Sequence, residues 1–188
     1  MKNKNKLNKN KNYLKTSVSI IILLCTIFSY HIAFASSISE EKLGDFLNAE
    51  RRSRQMPELR YNHKLYQAAQ NKAEHMIEND YFEHYAPDGT SPWDFIKQSG
   101  YNYKSAGENL AIDFSTSKAV HDAWMASPLH RENIISEKYQ DYAIVITNGV
   151  INGQSSTIIV QMFGKAQTNT LAKTNQIINL VLNYLLGK

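Results

Sequence analysis

The chain has 188 residues with 21 basic and 17 acidic side chains, a formal net charge of +4, and one cysteine. The first 35 residues hold six of the basic residues and no acid, so the remainder is slightly acidic, 15 basic against 17 acidic. Charge therefore gives no argument for a nucleic-acid partner, and beyond Cys25 no disulfide is available to hold the fold.

Lys2, Lys4, Lys6, Lys9, Lys11 and Lys15 precede an apolar run from Val18 to Phe34, which ends on Ala33-Phe34-Ala35. A basic start, an apolar middle and a small-x-small end read as a secretory signal over residues 1–35. An uncleaved anchor is the alternative, but the run is slightly short for a span. Cys25 follows Leu24, where lipidation wants a small residue, and so reads as part of the apolar run. The 153 residues that follow suit one domain of ordinary size resting on its core.

Ser39 is placed to cap a first helix, with Leu43, Phe46 and Leu47 on one stripe and Pro57 beyond its end. Arg51, Arg52 and Arg54 read as a solvated face. Asn62 caps a second helix whose apolar face is Leu65, Ala68, Ala69, Ala73, Met76 and Ile77, ending near Asn79. Pro87-Asp88-Gly89 is a turn. Ser91-Pro92 opens a short helix that stops at Gly100. Tyr101 and Tyr103 alternate toward Ala106-Gly107-Glu108-Asn109-Leu110. Ser115 or Ser117 caps a further helix carrying Val120, Ala123 and Trp124, with Pro128 past its end. Residues 142–150 and 156–163 flank Asn152-Gly153 and predict a β-hairpin. The fold class expected is α+β, with helices on the faces of the sheet. Residues 167–188 predict an amphipathic tail helix, too short to span a bilayer. It would dock on the domain or a partner, or touch a membrane surface peripherally.

His84, Glu108 and His130 each stand where a rigid element gives way to a loop, as site residues often do. Two imidazoles and a carboxylate can hold zinc or move protons near neutrality. Their gaps of 24 and 22 residues match no short metal motif. His63, His75 and His121 fall within helical patterns and read as surface or edge residues.

These residues also carry a resemblance. Leu47-Asn48-Ala49-Glu50-Arg51, residues 82–89 (FEHYAPDG), Gly107-Glu108-Asn109-Leu110, residues 124–134 (WMASPLHRENI) and Val160-Gln161-Met162-Phe163-Gly164 occur in order. Together they resemble the bacterial branch of the CAP superfamily (cysteine-rich secretory proteins, antigen 5 and pathogenesis-related 1; the SCP domain). The resemblance implies a three-layer α-β-α sandwich over residues 36–166 with a central cleft. Many members line that cleft with two His and two acidic residues, and some bind a divalent metal ion there. His84, Glu108 and His130 match three of those positions. The fourth is Ser127, which removes one anionic ligand but leaves a set that can still hold zinc. Asn109 either orients Glu108 or satisfies backbone groups. Asn133 and Arg131 are expected to fix the loop after His130, and Trp93 and Trp124 to lie in the core.

Three functions stay open at this level. The first is a secreted protein binding a divalent ion and an extracellular ligand in a cleft of His84, Glu108, Asn109, Ser127 and His130. The second is a peptidase-like hydrolase with Glu108, Ser127 and His130 as catalytic candidates, although Ser127 follows no strained nucleophile turn. The third is a module for lipid or a cell-envelope component.

Overall fold

The computed structural model describes residues 38–167, 178 and 181–186. The expected signal, residues 1–35, lies outside the described residues, as does most of the expected tail helix.

Local chemistry sets most element boundaries. Helix α1 (Glu40–Ser53) starts at Ser39, whose Oγ accepts from the Lys42 amide at 3.2 Å, with Glu40 and Glu41 in the first turn and Arg51 and Arg52 in the last. After the two-residue strand β1 (Arg60–Tyr61), helix α2 (His63–Glu78) starts at Asn62, whose Oδ1 accepts from the amides of Lys64 and Leu65. Helix α3 (Pro92–Gln98) has proline in its first turn, and the Ser91 amide donates to Asp94 Oδ2 at 3.0 Å. Strand β2 (Tyr103–Ile112) leads to α4 (Ser117–Ala126), which is capped by Thr116 rather than by either neighbouring serine. Pro128 does not simply follow a helix end. It opens another short helix, α5 (Pro128–Ile134), so His130 is helical rather than in a loop. Strands β3 (Asp141–Ile151) and β4 (Gln154–Ala166) form the expected hairpin. Asn152 and Gly153 both have positive φ, 52° and 74°, as a tight primed turn requires.

The sheet order is β1-β3-β4-β2, with β1 parallel to β3 and the other pairs antiparallel. Alternation along the strands divides the core in two. Ala143, Val145, Ile158, Val160, Met162 and Leu110 join α2 and α3 on one face. Ile144, Ile159, Phe163 and Ala111 join α1, α4 and α5 on the other. This is the α+β sandwich expected, helices on both faces of a mixed sheet.

Two cations break the simple inside-outside pattern. Arg51, expected on a solvated face, is buried and donates to the carbonyls of Pro57, Ile134 and Ser136, tying the end of α1 to the end of α5. Arg52 and Arg54 do face solvent and pair with Glu58 and Glu50. Lys72 lies in the middle of the apolar stripe of α2 and is fully buried.

Candidate functional site

The site is built around β2, the outer strand on one side of the sheet. An edge strand leaves every second carbonyl without a strand partner. Here three side chains from the α4–β3 region supply the missing donors. Tyr139 Oη donates to the Ala106 carbonyl at 3.1 Å, Asn133 Nδ2 to Glu108 at 3.1 Å and Trp124 Nε1 to Leu110 at 3.0 Å. Gly107 is required for this closure, since a Cβ there would collide with the Tyr139 hydroxyl. Trp124 is core, as expected, while Trp93 is half-buried and lines a cleft.

Glu108 and Asn109 are neighbours in the chain but lie on opposite faces of the sheet. On the α2 side, Glu108 Oε1 meets His84 Nδ1 at 2.6 Å, the carboxylate side chain 1% exposed and the imidazole 48%. Glu108 Oε2 is shielded from solvent and has no hydrogen-bond partner among the described residues. Burial pushes the Glu108 pKa up, opposed by the His84 hydrogen bond and by the charges of Lys72 and His84.

Lys72 positions this pair. Its Nζ donates to the carbonyls of Glu83 and His84, both at 2.8 Å, and to Tyr81 Oη at 3.1 Å. It also lies 4.7 Å from the centre of the Tyr81 ring. The ammonium thereby clamps the backbone that carries His84 and places a positive charge near Glu108. Burial lowers the Lys72 pKa, and the nearby Glu108 and Glu83 charges oppose that shift. Tyr81 Oη in turn contacts His75 Nδ1 at 2.9 Å, so His75, expected at the surface or an edge, belongs to this half-buried network. Beyond His84 the chain reverses through the Pro87-Asp88-Gly89 turn, where the Gly89 amide donates to Ala86 O and the Ala86 amide to Thr90 O, each at 2.9 Å.

On the other face Asn109 is fully buried. Its Nδ2 donates to the His130 carbonyl at 3.1 Å and to Gln161 Oε1 at 3.0 Å, while its Oδ1 accepts from Asn133 Nδ2 at 2.9 Å. Asn133 Oδ1 lies 3.2 Å from Tyr139 Oη and shares its one hydroxyl proton with the Ala106 carbonyl. Asn109 thus satisfies backbone and side-chain groups and fixes α5, with no hydrogen bond to the Glu108 carboxylate among the described residues. His130 is half-buried on α5, and its pKa is lowered by burial and by the like charge of His84. Ser127 is both the last cap of α4 and the first of α5 and makes no side-chain cap hydrogen bond. No hydrogen bond joins its Oγ to His130 or Glu108 among the described residues.

A cleft of about 270 Å³ spans the edge strand, lined by His84, Tyr85, Pro92, Trp93, Ala106, Gly107, Glu108, Asn133 and Tyr139. Of the residues expected in it, His84 and Glu108 are lining; Asn109, Ser127 and His130 are not. A larger hollow of about 530 Å³ lies on the far side of Tyr139, but its buried cation, Arg51, is spent on backbone carbonyls. Among the described residues no three His, Cys, Asp or Glu side chains converge as metal ligands, and His84 Nδ1 and Glu108 Oε1 close on each other. Lys72 and Tyr139 were not singled out in the sequence. The signal for Lys72 was a lone cation inside the 65, 68, 69, 72, 73, 76 stripe.

Comparison with known proteins bears on this arrangement. By sequence the chain is 38% identical over 106 residues to the uncharacterized protein YkwD of Bacillus subtilis, covering 55% of this chain and 41% of that protein. It is 27% identical over 101 residues to the uncharacterized membrane protein YlbC of the same organism, covering 54% and 29%. The chain thus spans less than half the length of either relative. By fold it is similar to an extracellular SCP-domain protein of Bacillus anthracis, with TM-score 0.56 and 24% identity over 67% of this chain and 40% of that one. It is also similar to an outer surface protein of Borrelia burgdorferi, with TM-score 0.59 and 24% identity over 68% and 92%. The model of the cysteine-rich secretory protein family matches residues 45–163, a span that takes in both faces of β2 and every side chain that closes its edge, and the chain is therefore a member of that family, the CAP or SCP-domain proteins.

Proposed function

We propose that this chain works outside the cytoplasm, in the medium or cell envelope, as a CAP domain that binds a ligand in the cleft over Glu108 and His84. The observation that carries the reading is Glu108 itself. A buried carboxylate oxygen without a partner costs free energy that folding alone does not recover. Such a group beside a cleft is placed to receive a donor from a ligand. The basic and apolar start of the chain, with Ala33-Phe34-Ala35 at its end, and the extracellular and outer-surface relatives support export.

Cell fractionation with mass spectrometry of the N-terminus tests the location. Protein starting at Ser36 outside the cell is expected, and an intact chain confined to the cytoplasm overturns it. For the cleft, zinc titration separates two occupants. Zinc uptake that disappears in the His84→Ala, His130→Ala double variant makes the occupant a metal ion. Equal uptake by variant and wild type removes the metal reading.

A second reading rests on the tail. Val181, Leu182, Leu185 and Leu186 are exposed, and no helix among the described residues is long and apolar enough to cross a membrane. Peripheral contact with a lipid surface fits those side chains. Deleting residues 168–188 should then release the protein from vesicles, and unchanged partitioning would count against it.

A further inference from the structure

The polar atoms around the cleft divide into spent and unspent. The donors beside Glu108 are spent: Lys72 Nζ on three oxygens, Asn133 Nδ2 on Glu108 O and Asn109 Oδ1, and the one Tyr139 hydroxyl proton between Ala106 O and Asn133 Oδ1. At the wall the Trp93 indole N–H and the Tyr85 hydroxyl carry no hydrogen bond among the described residues. Two atoms of the Glu108–His84 pair also remain. Glu108 Oε2 is unpartnered among the described residues and, in the carboxylate, is an acceptor. His84 Nε2 is an acceptor in the neutral imidazole that carries its proton on Nδ1. A ligand that engages Glu108 must therefore bring donors, while Trp93 and Tyr85 have donors of their own to offer it. Phosphate and carboxylate groups, which offer only acceptors and negative charge, do not suit the Glu108 carboxylate.

Charge and shape narrow the class. The buried Lys72 ammonium offsets the Glu108 carboxylate, so the site holds no surplus negative charge to draw a cation. At about 270 Å³ the cleft falls below the roughly 300–1,000 Å³ typical of sites for drug-sized ligands, so it admits one ring or one side chain. Its walls are flat and apolar on one side, with Pro92, Trp93 and Tyr85. Tyr85 is 58% exposed at the mouth, a large aromatic face with nothing on it.

We propose that the ligand is a neutral saccharide, one sugar ring of an extracellular glycan, with adjacent hydroxyl groups donating to Glu108 Oε2 and His84 and its apolar face laid against Trp93 and Tyr85. The proposal rests on the cleft reading above and names its ligand class. Oε2 is shielded in the free protein, so a sugar hydroxyl gains it by shifting the half-exposed His84 imidazole bonded to the same carboxylate.

The experiment is a two-dimensional NMR titration of the purified protein with chitotetraose and maltotetraose, and separately with trialanine and zinc chloride. A saturable shift of the Trp93 indole and Glu108 amide signals by a saccharide is expected. Glu108→Gln should weaken it about tenfold, the scale of one hydrogen bond to a charged group. Tyr85→Ala, at an exposed position with little part in folding, should weaken it several-fold. No saccharide-induced shift, or shifts equal in wild type and both variants, overturns the proposal. Shifts at Trp93 and Glu108 with trialanine or zinc alone overturn the saccharide and leave the cleft reading standing. Binding of every probe, the saccharides included, only at unrelated residues and indifferent to Glu108→Gln overturns both.

Discussion

Glu108 and Asn109 share a strand, a degree of burial and a polar side chain, yet their environments differ in kind. On the Asn109 face no shielded side-chain polar atom lacks a partner among the described residues: Asn109, Gln161, Asn133 and Tyr139 form a network that holds α5 against the sheet. On the Glu108 face a buried carboxylate keeps one oxygen unpaired, beside a buried ammonium and a half-exposed imidazole. A satisfied polar network stabilises, and an unsatisfied one marks a place where stability has been given up. The first face is scaffold and the second is where a ligand has something to gain.

Removing Lys72 should break the contrast most strongly. Lys72→Met leaves Glu108 without its buried counter-charge and two carbonyls without a donor, with an expected loss of about 3 kcal/mol in a urea titration. A loss below about 1 kcal/mol would mean that the ammonium does not hold the site.

Asn109→Ala comes next. It orphans the buried Gln161 and frees the His130 carbonyl, at about 2 kcal/mol. By contrast Glu108→Gln should stay within about 1 kcal/mol of wild type, because the isosteric amide keeps an acceptor for His84 and Lys72 keeps its three oxygen partners. If the two neighbours cost the same, the distinction between faces fails.

The pH dependence sharpens the same point. The folded-state pKa of Glu108 is raised, so its contribution to stability is full below the ordinary glutamate range and is lost as pH rises through the folded value. Subtracting the Glu108→Gln stability curve from that of wild type should therefore leave a difference that falls with rising pH. His130 runs the other way. Its folded-state pKa is lowered, so its contribution is present above the ordinary imidazole range and is lost as pH falls through the folded value. His130→Gln should flatten the acid limb. A difference curve of the opposite slope in either case would contradict the assigned environments.

The smallest effect belongs to the tail. Its described residues are exposed, so deleting residues 168–188 should leave the unfolding free energy from a urea titration unchanged within about 0.5 kcal/mol.

Much of the fold was legible because it is written locally. Asn62 caps α2, Pro92 opens α3 and Asn152-Gly153 turns the hairpin, each through contacts a few residues apart. The misses have physical causes. Strand β1 has two residues and no period to read. Thr116 and the serines beside it are equivalent cap chemistry, so only the backbone angle selects among them. Arg51 sits among arginines that do face solvent, and nothing short of the 83 residues to Ile134 reveals its partner. Of the candidate site, His84 and Glu108 meet on one face and Asn109 holds the His130 carbonyl on the other, while no side-chain hydrogen bond joins Ser127 to any of them among the described residues.

The sequence by itself determined the starts of α1, α2 and α3, the turns, the alternation of the strands and the presence of three residues able to do chemistry. Only the tertiary structure decided that β2 lies at the edge of the sheet. That position calls for Trp124, Asn133 and Tyr139 to close its carbonyls, and it opens a cleft beside it. It also decided which side of the sheet is which. The strand period of two sends Glu108 and Asn109 apart. What each then meets, Lys72 and His84 or Gln161 and His130, comes from elements folded in from far along the chain.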